Sequence, residues 1–252
     1  MTINILLGVM LPFLGTALGA AGVFFMRGEM NARARSAVIG FAAGIMVAAS
    51  VWSLILPAVA RSAELGRLAF VPAAMGLLCG VVFLLLLDLL ASRLCAGGES
   101  RSRLTMAVTL HNLPEGMAVG AVLAGLLAGE EGITVASALA LSLGIAIQNF
   151  PEGAAVSLPL RREGLSARKS FLLGQASGVV EPVAGLMGAL LVSRTEALLP
   201  YALSFAAGAM ILVAVHELIP ESQANRRSGS YTATMGVIFG FAAMMLLDVM
   251  LG

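Results

Sequence analysis

Two short runs of this chain place acids, an imidazole and carboxamides at helical spacing inside long apolar stretches. One is His111-Asn112-Leu113-Pro114-Glu115-Gly116, and the other is Gln148-Asn149-Phe150-Pro151-Glu152-Gly153. Residues four apart on a helix lie about 40° from one another, so His111 shares a face with Glu115 and Gln148 with Glu152. Asn112 and Asn149 flank those faces. A third carboxylate, Glu181, stands beside Pro182 in the next apolar stretch, and His216-Glu217 lies in another. An ionisable group at bilayer depth costs at least about 2.5–3.5 kcal/mol on insertion scales, so each needs a partner or a function.

Imidazole combined with carboxylate and amide oxygens suits Zn²⁺, Mn²⁺, Fe²⁺, Co²⁺ or Cd²⁺. No thiolate is within reach by sequence, which argues against Cu(I). An all-oxygen Ca²⁺ or Mg²⁺ cage has no need of His111. Pro114 cannot donate to Leu110, nor Pro151 to Ile147, and carbonyls freed in this way can line a polar cavity. With Glu115, Glu152 and Glu181 ionised, one divalent ion leaves a single negative charge and two leave a single positive one. Three desolvated carboxylates cannot all stay ionised in an empty site, so protons are expected to replace departing metal. Mutual hydrogen bonding that merely locks a bundle would explain a lone glutamate. It does not explain a doubled six-residue motif.

The elements that hold these groups are membrane helices. Of the 252 residues, 59% are hydrophobic and 12% charged, far from the balance of a soluble domain. Eight apolar stretches of spanning length occur at about 3–26, 37–60, 68–92, 104–127, 133–159, 170–193, 198–220 and 231–251. The fold class is therefore an all-α membrane protein forming one transmembrane domain over residues 1–252. The first stretch lacks a basic leader and is too long for a signal peptide, so it reads as a mature span. Twelve of the fifteen basic residues fall in the first, third, fifth and seventh connections: Arg27, Arg33, Arg35, Arg93, Arg101, Arg103, Arg161, Arg162, Arg168, Lys169, Arg226 and Arg227. Arg61, Arg67 and Arg194 lie on the other side. The positive-inside rule puts both termini outside the cytoplasm. A net charge of +1 gives no reason to expect nucleic acid. Cys79 and Cys95 read as free thiols.

The stretches repeat. Phe41-Ala42-Ala43-Gly44 with Met46, followed by Leu54-Ile55-Leu56-Pro57, returns as Phe205-Ala206-Ala207-Gly208 with Met210, followed by Leu218-Ile219-Pro220. Asp88 in the third stretch is echoed by Asp248 in the eighth, and the two six-residue motifs echo each other in the fourth and fifth. Helices 1–3 would thus be repeated as helices 6–8 in inverted orientation, with helices 4 and 5 paired. Such repeats belong to secondary transporters, whose sites lie at the midplane where the halves meet.

The paired motifs, the helix-six glutamate and the His-Glu of helix seven resemble the ZIP (Zrt/Irt-like) metal transporters, in particular their bacterial GufA-like branch, over the whole chain. The resemblance implies uptake of divalent metal, Zn²⁺ foremost, toward the cytoplasm across the inner membrane, and a homodimer embedded in lipid. It implies an elevator-like movement of helices 1, 4, 5 and 6 against 2, 3, 7 and 8, with metal as cargo and no cofactor. His111, Glu115, Gln148 and Glu152 would form a first metal site. Asn112, Asn149 and Glu181 would form a second, with Glu115 and Glu152 bridging. Many relatives have His where this chain has Gln148, and some have Asp where it has Asn149. Met46 resembles a methionine beside the first metal, although an apolar core position explains it equally. His216, Glu217 and Glu221 resemble a cytoplasmic exit path. Asp88 and Asp248 either attract cations at an outer vestibule or hydrogen-bond the scaffold. Two other classes compete: an intramembrane metal-dependent enzyme and a metal-binding membrane sensor. His216-Glu217 begins like the zincin pattern HExxH, but Pro220 stands where the second His is needed.

Overall fold

The computed structural model describes residues 2–25, 31–94, 100–130, 132–193, 195–224 and 231–251. Arg27, Cys95, Arg194, Arg226 and Arg227, used above, lie outside the described residues, as do the side chains of Arg101 and Arg103. Everything regular among the described residues is helical, with no strand. Among the described residues, eight long helical stretches follow one another, joined in places by short 3-10 turns. They are α1 (Thr2–Ala21), α2 (Ala32–Arg61), α3 (Phe70–Leu94), α4 (Ser100–Ala128), α5 (Val135–Arg162), α6 (Ala167–Val192), α7 (Leu199–Gln223) and α8 (Thr232–Leu251).

Seven of the eight are long and apolar enough to cross a membrane, as judged on the described residues. The exception is α5. Its 28 residues are ample in length, but Gln148, Asn149, Glu152, two prolines and several serines dilute its apolarity. Those groups are not turned toward lipid, because Ser142, Gln148, Asn149, Glu152 and Ser157 are all buried.

Three helices depart from regular winding, each at a proline. In α2 a π-turn spans Ser50–Ile55 ahead of Pro57, and in α7 a second spans Ala214–Leu218 ahead of Pro220. A proline removes the donor to the carbonyl four residues back, and a π-turn re-routes the carbonyls of that turn. The third is α6, which breaks after Gly178. Pro182 cannot donate to the Gly178 carbonyl, and Glu181 stands at the break.

The helices associate as four tight pairs: α1 with α5, α4 with α6, α2 with α8, and α3 with α7. Glycines four residues apart set each contact. Gly15 and Gly19 meet the backbone of Ala146 and Phe150. Gly116 and Gly120 meet Glu181 and Gly185. Gly40 and Gly44 meet Val237 and its neighbours, and Gly76 and Gly80 meet Tyr201 and Phe205. In each pair the contacts advance in the same direction along both chains, so the partners run parallel. Small residues at this spacing let backbones touch, the usual basis of helix association in lipid, where apolar burial offers no gain. Ile45, Met46, Leu54, Leu141, Ile145, Leu203, Met210 and Met244 fill the centre between pairs. Leucines of α3 and α8 such as Leu78, Leu86 and Leu246 are exposed on the outside, as an apolar solvent requires.

Candidate metal site

Four helices bring the polar groups together: α4, α5, the broken α6, and α1. Gln148 Nε2 donates to Glu115 Oε1 at 2.5 Å, joining α5 to α4. Asn112 Nδ2 donates to Glu181 Oε1 at 2.9 Å and reaches the Ser177 carbonyl at 3.3 Å, joining α4 to α6. Asn149 Nδ2 points to the Pro12 carbonyl of α1 at 3.5 Å. Thr16 Oγ1 donates to the same Glu181 oxygen at 2.8 Å. The glycine of each motif makes room for this. A side chain on Gly116 would strike the Glu181 backbone, and one on Gly153 the Thr16 carbonyl.

After these bonds, one oxygen on each of six site residues has no partner: Asn112 Oδ1, Glu115 Oε2, Gln148 Oε1, Asn149 Oδ1, Glu152 Oε2 and Glu181 Oε2. Buried polar atoms are nearly always hydrogen-bonded, so a cluster of orphaned acceptors calls for an electrophile. Each of these six atoms is an acceptor and none a donor. A cation satisfies that set, whereas an anion or a further acceptor does not.

His111 behaves differently. Its Nε2 lies 2.9 Å from Glu217 Oε1 of α7, and Glu152 and Asp88 are also within its electrostatic range. Glu217 therefore engages a nitrogen that a metal at the first site would use. Among the described residues, no three His, Cys, Asp or Glu side chains are gathered tightly enough to cage an ion by themselves. Carboxamides stand between the carboxylates and supply half of the orphaned oxygens. Met46 is fully buried in the apolar centre. His216, beside Glu217 in the chain, is exposed.

Asp248 accepts a hydrogen bond from Ser53 at 2.7 Å. It also lines a cavity of about 930 Å³ together with Glu64, Glu130 and Arg61, so it both braces the scaffold and borders that cavity. Arg61, at the end of α2, is paired with Glu130 in the α4–α5 connection. Across the molecule, Arg35 of α2 pairs with Glu221 of α7 at 2.6 Å.

Thr16, Ser177 and the contribution of α1 were not anticipated from sequence. The available signal was Thr16 itself, a lone hydroxyl between Gly15 and Gly19 in an apolar run.

A family model described as ZIP Zinc transporter matches residues 99–248. The chain is 39% identical to Zinc transporter ZIP11 of Xenopus tropicalis, covering 98% of this chain and 97% of that one. It is 37% identical to Zinc transporter GufA of Myxococcus xanthus, covering 94% of each. It is 40% identical to Zinc transporter ZIPB of Bordetella bronchiseptica, covering 98% of this chain and 81% of the relative.

Proposed function

Given that this chain belongs to the ZIP zinc transporter family, we propose that it carries Zn²⁺ across the inner membrane toward the cytoplasm through the α4–α5–α6 site. The observation that carries this reading is the set of six orphaned, buried oxygens on Asn112, Glu115, Gln148, Asn149, Glu152 and Glu181. In the proposed arrangement His111, Glu115, Gln148 and Glu152 hold the first ion. Asn112, Asn149 and Glu181 hold a second, bridged by the two motif glutamates. Met46 borders the first ion from α2. Glu217, with His216 beside it, receives metal on the way out, and its bond to His111 supports that hand-over. Cd²⁺, Fe²⁺, Mn²⁺ and Co²⁺ are further cargo that this oxygen-rich set admits.

In this proposal all eight helices span, α5 included. A span enclosed by α1, α4 and α6 can be more polar than one facing lipid. Both termini are external. Asp248 and the cavity around it form the outer mouth. The four tight pairs support an elevator movement, because each lies wholly within one of two groups: α1, α4, α5 and α6, or α2, α3, α7 and α8. The inverted repeat finds support in the same pairing. Exchanging helices 1–3 with 6–8, and 4 with 5, converts α2–α8 into α7–α3 and α1–α5 into α6–α4. The two π-turns exchange as well. A homodimer completes the assembly.

The relatives are named as transporters, and the chain is a transporter rather than an enzyme. The test is a metal panel in proteoliposomes with a fluorescent indicator inside. Metal-selective, saturable Zn²⁺ entry is expected. Binding without flux would favour a sensor and reject transport.

A further inference from the structure

We infer that Thr16 of α1 is a positioning and specificity residue, which makes Glu181 a one-oxygen ligand for the transported ion. This rests on the proposed role of Glu181 in the metal site. The geometry is closed around one atom. Thr16 Oγ1 and Asn112 Nδ2 both donate to Glu181 Oε1, at 2.8 and 2.9 Å, while Oε2 has no partner. Thr16 and Glu181 are both buried, so water does not compete for these bonds. Two donors consume the lone pairs of Oε1 and fix the plane of the carboxylate. Only Oε2 is left for a cation.

The sequence around Thr16 is built to bring it there. A side chain on Gly153 would strike the Thr16 carbonyl, and one on Gly178 would approach Thr16 Cβ at 2.8 Å and Glu181 Oε1 at 3.1 Å. Glycines on α5 and α6 therefore let α1 enter the cleft at the level of Glu181. The break in α6 after Gly178 places Glu181 in the first turn of the new helical segment, where the side chain meets α1 rather than lipid.

A carboxylate restricted to one oxygen suits Zn²⁺, which binds few ligands tetrahedrally. Larger cations fill higher coordination numbers and commonly take both oxygens of a carboxylate. Removing the Thr16 hydroxyl while keeping its volume leaves Oε1 held by Asn112 alone, frees one of its lone pairs and lets the carboxylate turn. Thr16→Val should then lose Zn²⁺ affinity on the order of tenfold, the scale of one buried hydrogen bond to a carboxylate. It should also shift the Cd²⁺-over-Zn²⁺ preference toward Cd²⁺. Thr16→Ser keeps the donor and should behave as wild type in both respects.

The experiment titrates purified protein with Zn²⁺ and with Cd²⁺ against a chromogenic chelator, for wild type, Thr16→Val, Thr16→Ser, Glu181→Gln and the Thr16→Val/Glu181→Gln double variant. Glu181→Gln defines the part of binding that depends on Glu181. In that background Thr16→Val should add nothing, since it acts through the carboxylate. A silent Thr16→Val beside an impaired Glu181→Gln overturns the role of Thr16 alone. An independent, additive loss in the double variant does so too, because it marks a packing effect. A silent Glu181→Gln removes Glu181 from the metal site, and the inference falls with it.

Discussion

At the residue scale, the test of the site is whether its ligands can be removed without removing the fold. Replacing His111 with Ala should abolish or greatly weaken Zn²⁺ flux, and so should Glu152→Ala, with membrane expression and thermal unfolding near wild type. Both side chains face the polar cleft rather than the apolar centre, so their loss opens no gap among Ile45, Leu141 and Met244. Vesicle uptake by either variant at the wild-type rate rejects the assignment. Gln148→His tests the first site from the other direction. Residue 148 lies one turn before Glu152, its Nε2 bonds Glu115, and its Oε1 is unpartnered. An imidazole there supplies nitrogen where the chain now offers a neutral oxygen, and Zn²⁺ prefers nitrogen. Competition assays should show a shift toward Zn²⁺ over Mn²⁺. An unchanged profile means that residue 148 does not touch the ion. His111, Glu115, Gln148, Asn149 and Glu152 were legible in the sequence because a polar group at bilayer depth stands out against its neighbours, and helical spacing fixes its face. Thr16 was not, because a hydroxyl in a span is ordinary and its partner lies 165 positions away in the chain. Nor was the pairing of His111 with Glu217, which depends on where α7 lies against α4.

At the element scale, the site exists because helices approach more closely than ordinary side chains allow. Gly120 bears directly on the site, since a side chain there runs into the Gly185 carbonyl. Gly120→Ala must push α4 away from α6, and overpacking of this kind typically costs about 1–3 kcal/mol. The expected outcome is a lower unfolding temperature in detergent together with weaker Zn²⁺ binding, because α4 carries Glu115 and α6 carries Glu181. A stability loss with untouched Zn²⁺ affinity would show that the two helices do not share an ion. The all-helical, membrane-spanning character could be read from apolar runs of spanning length. The π-turns could not be assigned from sequence, although Pro57 and Pro220 mark where they end, because proline in a helix yields a kink, a break or a bulge according to what packs beside it. The polarity of α5 explains the one difference in spanning character: its polar groups are buried against protein, while Leu143, Ile147 and Phe150 stay exposed on its outer face.

At the scale of the whole molecule, the question is which parts move together. In the proposed elevator the tight pairs fall into two groups, and the polar contacts at the helix ends fall differently with respect to them. Arg35–Glu221 joins α2 to α7, inside one group. Arg61–Glu130 joins α2 to the α4–α5 connection and so ties one group to the other beside the cavity lined by Asp248. An elevator needs the second contact to break in every cycle and the first to persist. Cysteines at 61 and 130, joined by a short bifunctional crosslinker in a background free of Cys79 and Cys95, should stop Zn²⁺ flux, with recovery when a cleavable linker is reduced. The same treatment of cysteines at 35 and 221 should leave flux equal to that of its own uncrosslinked protein. A channel makes a different forecast, since a static pore tolerates both crosslinks. Full flux through protein crosslinked between 61 and 130 therefore rejects the movement of one group against the other. Loss of flux on crosslinking 35 to 221 would place α2 and α7 in separately moving bodies and redraw the boundary between the groups.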